Sequence, residues 1–140
     1  NKMEAILNFG QTTVAFLAVL TILVFVHEWG HYIVAHINGV RVEIFSIGFG
    51  SEIWGFNDKH GTRWKFSWIP LGGYVKFFGD ASGASNPDSS LPEMSEKEKN
   101  QAFHYKKLHQ KAAIVFAGPA VNFLFAILII DLDLSIPITS

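Results

Sequence analysis

The chain has 140 residues, a formal net charge of −1, 16% charged residues and 49% hydrophobic ones. Soluble domains average roughly 25% charged residues, so this composition favours long apolar runs; near-neutral charge and the lack of any repeat exclude disorder, collagen-like structure and a nucleic-acid-binding surface. Without cysteine, disulfides, thiolate catalysis and cysteine-ligated metal sites are excluded, which leaves six histidines and the carboxylates for any metal.

The first apolar run extends from Thr12 to Ala35, and between Val14 and Val26 only Thr21 interrupts it. A bilayer core about 30 Å thick needs about 20 helical residues, a length this run supplies if His27–His31 lies within the helix. A secretory signal is disfavoured, because no lysine cluster precedes the run and no small-residue cleavage pattern follows it. A second run, Ala112 to Ile130, has no charged residue at all. Two such segments in a short chain argue against a buried helix of a soluble protein. Of eleven lysines and arginines, all but Lys2 fall between Asn38 and Lys111. The positive-inside rule therefore places loop 38–111 in the cytoplasm and both ends of the chain on the opposite side.

The expected fold class is an α-helical membrane protein: two transmembrane helices with a membrane-associated β-hairpin or sheet region between them. Residues 1–37 form the first helix. Residues 38–79 form the β-region, where Val42 and Ile44, then Trp64, Phe66 and Trp68, alternate with polar positions. Asn57-Asp58-Lys59-His60-Gly61 is hairpin-turn chemistry with Gly61 suited to positive φ, and Gly39, Gly48, Gly50, Gly72 and Gly73 suggest bulges or close backbone approach. Residues 80–101 read as a linker rich in Ser, Gly, Pro and Asp, though Ser95 and Glu98 have the spacing of a capping box that starts a short helix. Residues 102–140 supply an amphipathic lead-in and the second helix.

The chemistry concentrates in His27-Glu28-Trp29-Gly30-His31. Helix positions four apart share a face, so both imidazoles can bind one zinc ion with Glu28 beside it as general base. Zinc lowers the pKa of its water to about 7, and the neighbouring carboxylate passes a proton onward. The bland alternative is a helix end with two satisfied histidines. Ionisable groups at membrane depth cost roughly 2.5 to 3.5 kcal/mol each on insertion scales, which weakens that alternative.

The second constellation is Gly118-Pro119-Ala120-Val121-Asn122. Proline frees a carbonyl and kinks a helix, Gly118 admits a close backbone neighbour, and Asn122 needs a partner in lipid. Counting about 1.5 Å per residue from Lys111, Gly118 lies about 10 Å deep and Asn122 about 16 Å deep, while His27 lies about 8 Å from the same boundary. The motifs share a depth and can face one another, although a packing kink without a catalytic role explains the second equally well. Pro70-Leu71-Gly72-Gly73-Tyr74-Val75-Lys76 reads either as an ordinary hairpin edge or as an open strand edge holding an extended peptide, with Gly72 and Gly73 at the site. His36, His60, His104 and His109 read as surface or interfacial residues. His36 is about 140° around the helix from His31 and cannot share its face.

From Val24 to Phe125 these motifs occur in an order that resembles the bacterial site-2 proteases, the regulator-of-sigma-E type of intramembrane zinc metalloprotease. The segments carrying the resemblance are Val26–His31, Gly39–Val42, Phe45–Gly50, Ile69–Lys76 and Ala117–Phe123. With that resemblance beside the reading of the residues, the expected site has Zn2+ held by His27 and His31, Glu28 as catalytic residue, and Gly72, Gly73 and Asn122 as substrate-binding or active-site support. It implies cleavage of a single-pass membrane protein, such as an anti-sigma factor, within or near its transmembrane helix in the bacterial inner membrane. In such proteases PDZ domains and further helices follow, and a later Leu-Asp-Gly aspartate is the third ligand. These 140 residues lack that motif, and Asp131 and Asp133 lie about 30 Å from Lys111 along the second helix, too far to replace it. The expectation is therefore an N-terminal catalytic portion, with an incomplete metal sphere and no activity by itself. Two alternatives stand beside it: a non-catalytic membrane scaffold or partner-binding module, and a soluble zincin.

Overall fold

A computed structural model describes residues 1–79 and 95–137. Its elements in order are α1 (Lys2–Ile37), β1 (Val42–Asn57), β2 (Arg63–Phe77), α2 (Glu96–Gln101), the 3-10 turn η1 (Phe103–Tyr105) and α3 (Leu108–Ser135). The greater part of the expected linker, 80–94, lies outside the described residues. Its described end is α2, with the reciprocal Ser95–Glu98 capping box that the spacing predicts.

Both long helices exceed their apolar runs. Asn1 caps α1 by accepting the Glu4 N–H at 2.8 Å, and the helix starts ten residues before Thr12. Hydropathy marks the stretch suited to lipid, whereas helix length follows from capping and from helix formers such as Met3, Glu4, Ala5 and Leu7. Likewise α3 continues past Ile130 through Asp131 and Asp133, and runs through Pro119 without ending. By length and composition each helix is able to cross a membrane. Their apolar side chains are largely uncovered: Phe9 is 75% exposed, Phe116 68% and Leu134 80%. A soluble zincin would bury such a surface, so this exposure counts against that alternative.

The β-region is one antiparallel sheet of two long, bent strands. Ile44, Phe45, Ser46 and Ile47 have partners on both sides, Arg63–Phe66 on one and Gly73–Lys76 on the other. The second half of β2 is thus an edge. Register shifts run from Val42 to Trp54 and include the steps across Gly48 and Gly50, whose φ values are +89° and +86°, so these two of the five glycines lie at irregularities of the strand. The core lies where the sheet meets the C-terminal end of α1 and the N-terminal part of α3: Ala35 from α1, Val42, Phe45, Val75 and Phe77 from the sheet, Phe103 from η1 and Ile114 from α3. Phe45 stacks on Trp64 at 4.3 Å. Gly30 sets the helix separation: a Cβ there would meet the Ala117 carbonyl oxygen at 2.6 Å, so α1 and α3 approach backbone to backbone only because Gly30 lacks one.

The turn between β1 and β2 is organised by Asp58. One carboxylate oxygen accepts the N–H groups of His60 and Thr62 at 2.8 and 3.0 Å, and the other accepts the Trp64 indole N–H at 2.8 Å. Partial burial pushes the Asp58 carboxyl up, but the donors Trp64, Thr62 and His60 outweigh it and hold the group below its ordinary value. A depressed carboxyl stabilises above its unfolded value, about 3.9, and that contribution is lost as pH falls through the folded value. Acid titration of the solubilised full-length protein is expected to change tryptophan fluorescence only below about pH 4. Asp58→Asn should lack that transition, and superimposable acid profiles would count against this account.

Candidate metal centre and strand edge

His27, Glu28 and His31 lie on the turn of α1 that faces α3, where Gly30 and Ala117 bring the helices together. The two imidazole Nε2 atoms are 3.1 Å apart. Two tetrahedral ligands at about 2.0–2.1 Å from zinc stand about 3.3 Å apart, so this pair matches such an ion. Each ring is held from α3 by its other nitrogen. His31 Nδ1 donates to the Ile114 carbonyl oxygen at 2.7 Å, which fixes the tautomer and leaves a lone pair on Nε2. His27 Nδ1 is 3.2 Å from the Asn122 amide nitrogen. In that orientation Asn122 Oδ1 is buried with no hydrogen-bond partner among the described residues. Half a turn of the amide lets Oδ1 accept the His27 Nδ1–H and frees the second Nε2 lone pair. Imidazole ligands with their other ring nitrogen held by a carbonyl or amide are the usual surroundings of a protein-bound metal.

Gly118 closes the pair. A Cβ there would stand 2.5 Å from His31 Nε2 and 2.9 Å from His27 Nε2. The sequence reading expects a backbone neighbour at this glycine; its neighbours are instead the two imidazole edges, and the backbone approach belongs to Gly30. Asn122, which the sequence leaves equally open to a packing role, is brought directly to His27.

The glycines of β2 join the same place. A cavity of about 310 Å³ is lined by His27, Glu28, Gly72, Gly73 and Asn122 together with Phe49. A neighbouring cavity of about 290 Å³ continues from Glu28 and His31 along Gly73, Tyr74 and Val75. Gly73 is also a packing necessity, since a Cβ there would meet the Ser46 carbonyl oxygen at 2.5 Å and Val24 at 2.8 Å; one at Gly72 would meet the Phe49 ring at 2.6 Å, which the ring must turn to admit. Gly73 brings the strand against α1 at Val24, with Glu28 lining the same cavity.

The residue that sequence reasoning missed is Ile114, which acts through its carbonyl. Every residue has a carbonyl, so no sequence signal marks this one. Among the described residues, no group of three or more His, Cys, Asp or Glu side chains is placed to hold a metal. His36, His60 and His109 are exposed and His104 is half-buried, away from the pair.

A family model described as peptidase family M50 matches residues 15–135. The chain is 52% identical over 130 residues to a protein of Rhizobium meliloti, and 59% identical over 117 residues to one of Agrobacterium fabrum, both named "Putative zinc metalloprotease". It is 44% identical over 132 residues to Metalloprotease MmpA of Caulobacter vibrioides. These matches cover 92%, 83% and 88% of this chain but 35%, 31% and 33% of the relatives, so the chain spans about a third of their length.

Proposed function

We propose that this chain, which belongs to peptidase family M50, carries the His-Glu-x-x-His part of a zinc centre that hydrolyses peptide bonds within or beside transmembrane segments of single-pass membrane proteins, anti-sigma factors among them. The carrying observation is the convergence of the His27 and His31 Nε2 atoms at 3.1 Å, with each Nδ1 reached from α3. His27 and His31 would be two of the ligands; the third would come from a part of the protein beyond these residues.

Zinc held there would supply Lewis acidity, acidifying water to a pKa of about 7 and polarising the scissile carbonyl. The remaining roles belong to the chain. Glu28 takes the proton from the attacking water and delivers it to the leaving amide nitrogen. Asn122 and the Ile114 carbonyl are positioning groups that keep both rings edge-on to the centre. A helical substrate hides its carbonyls in its own hydrogen bonds, so it must unwind to be cut. The free edge of β2 at Gly72–Val75 offers main-chain partners to an unwound strand next to Glu28.

Placement in a bacterial inner membrane, with loop 38–111 cytoplasmic, is supported by the uncovered apolar helices and the distribution of lysine and arginine. The sheet also exposes Trp54 (65%), Trp68 (67%) and Leu71 (62%), which suits a β-region touching lipid. The test uses the full-length protein in proteoliposomes with a single-pass substrate. Removing metal with a chelator is expected to abolish cleavage, and added zinc to restore it. Undiminished cleavage in the metal-free protein would leave the scaffold reading in place.

A further inference from the structure

On the opposite side of the α1 terminus from the two imidazoles, a cleft of about 470 Å³ opens between the end of α1, the β1–β2 turn and Gln101. Tyr32, His36, Arg41, Lys59 and His60 line it, and among the described residues no carboxylate does. The function proposed above uses none of these residues. We propose that this cleft binds a phosphate group, and that its principal source is the headgroup of an anionic phospholipid.

The cations are placed rather than scattered. The Arg41 backbone is tied on both sides, its N–H donating to the Gln101 carbonyl at 2.9 Å and its carbonyl accepting from Phe78 at 2.8 Å. Its guanidinium lies over the Phe78 ring at 5.4 Å and within 3.8 Å of where a Gly61 Cβ would stand. The ring contact occupies one face of the guanidinium, and its fork of N–H donors has the geometry that a phosphate takes. His36 and His60 meet ring to ring at 5.0 Å, bridging the helix end to the turn. Lys106 brings its ammonium to 3.5 Å from where a Gly39 Cβ would stand, adding a cation next to the cleft. Among the described residues no carboxylate forms an ion pair with Arg41, Lys59 or Lys106.

Two features oppose an anion, and both are covered. The negative end of the α1 dipole points this way, but the carbonyls of Val34, Ala35 and His36 already accept from Asn38, Val40 and Gly39. Asp58 is the acid of the adjoining turn, and its oxygens are occupied by His60, Thr62 and Trp64. An arginine fork beside compact ammonium groups is the arrangement that phosphate recognition uses. The lipid source rests on the membrane placement above: His36 is about 36 Å along the helix from Thr12, just past a core of about 30 Å, at headgroup level. The phosphate chemistry does not depend on that placement.

The full-length protein, in a zwitterionic detergent, is titrated with short-chain phosphatidylglycerol, with short-chain phosphatidylcholine and with inorganic phosphate, and binding is read by native mass spectrometry. Wild type is expected to bind phosphatidylglycerol at least about tenfold more tightly than phosphatidylcholine, and Arg41→Gln/Lys59→Gln to lose that preference. Arg41→Lys should lose part of it, keeping charge but not the fork. Inorganic phosphate binding with the same Arg41 dependence, and no lipid preference, would uphold the phosphate site and assign it a soluble source. Wild type binding none of the probes, or wild type and the double variant binding phosphatidylglycerol alike, overturns the proposal. Tryptophan fluorescence reports folding of each variant. If the double variant unfolds, Lys59→Gln, which removes an exposed charge, carries the same comparison. Failure of wild type to enter bilayers would sink the membrane placement and leave the phosphate titration standing.

Discussion

In the full-length protein, Glu28→Gln is expected to retain zinc and lose cleavage of a transmembrane substrate by about 10²- to 10⁴-fold, the range that a positioned general base contributes. Glutamine keeps the shape of glutamate and cannot accept a proton, so packing in the cavity beside Gly73 is preserved while the water loses its base. Zinc should remain, because His27 and His31 are untouched and their other nitrogens are still held from α3. Measuring zinc content and initial cleavage rate on one preparation separates the roles. Full activity in Glu28→Gln would remove Glu28 from the mechanism, and loss of zinc with activity would make it a structural group.

Gly118→Ala tests the geometry from the opposite helix. Its new methyl would stand 2.5 Å from His31 Nε2, 2.7 Å from His31 Cε1 and 2.9 Å from His27 Nε2, distances that real Cβ atoms do not adopt. Either an imidazole turns away or α3 withdraws, and the two nitrogens then no longer converge. Disturbing groups that orient metal ligands typically costs 10- to 100-fold in metal affinity, and about that loss is expected here by chelator competition. Alanine is the better helix former by about 1 kcal/mol, so helix content by circular dichroism should not fall. Gly10→Ala is the control, since nothing lies within 4 Å of a Cβ there and zinc affinity should be unchanged. Equal zinc affinity in Gly118→Ala and wild type would mean that the imidazoles do not sit against Gly118.

Chain-local features were legible in advance. Hydropathy located both long helices, although not their ends, which depend on the Asn1 cap and on helix formers outside the apolar run. The Ser95–Glu98 capping box and the positive φ of Gly61 follow from chemistry over a few residues, and both occur as expected. The sheet was less legible. Alternation within β1 and β2 identifies a hairpin, but the fold-back that gives Ile44–Ile47 partners on both sides depends on bulges whose pairing consequences the sequence does not state.

By itself the sequence determined which chemistry is available: two imidazoles and a carboxylate on one helix, two long apolar stretches, a glycine-rich strand and no thiol. These follow from residue type and spacing along a regular backbone. Only the tertiary structure decided which nitrogens converge, that the Ile114 carbonyl holds His31, that Gly118 presses on both rings, and that Gly73 lies beside Glu28. The reason is that backbone carbonyls and the space left by a missing Cβ carry no side-chain signature. Their significance arises only when α1, β2 and α3 are packed together.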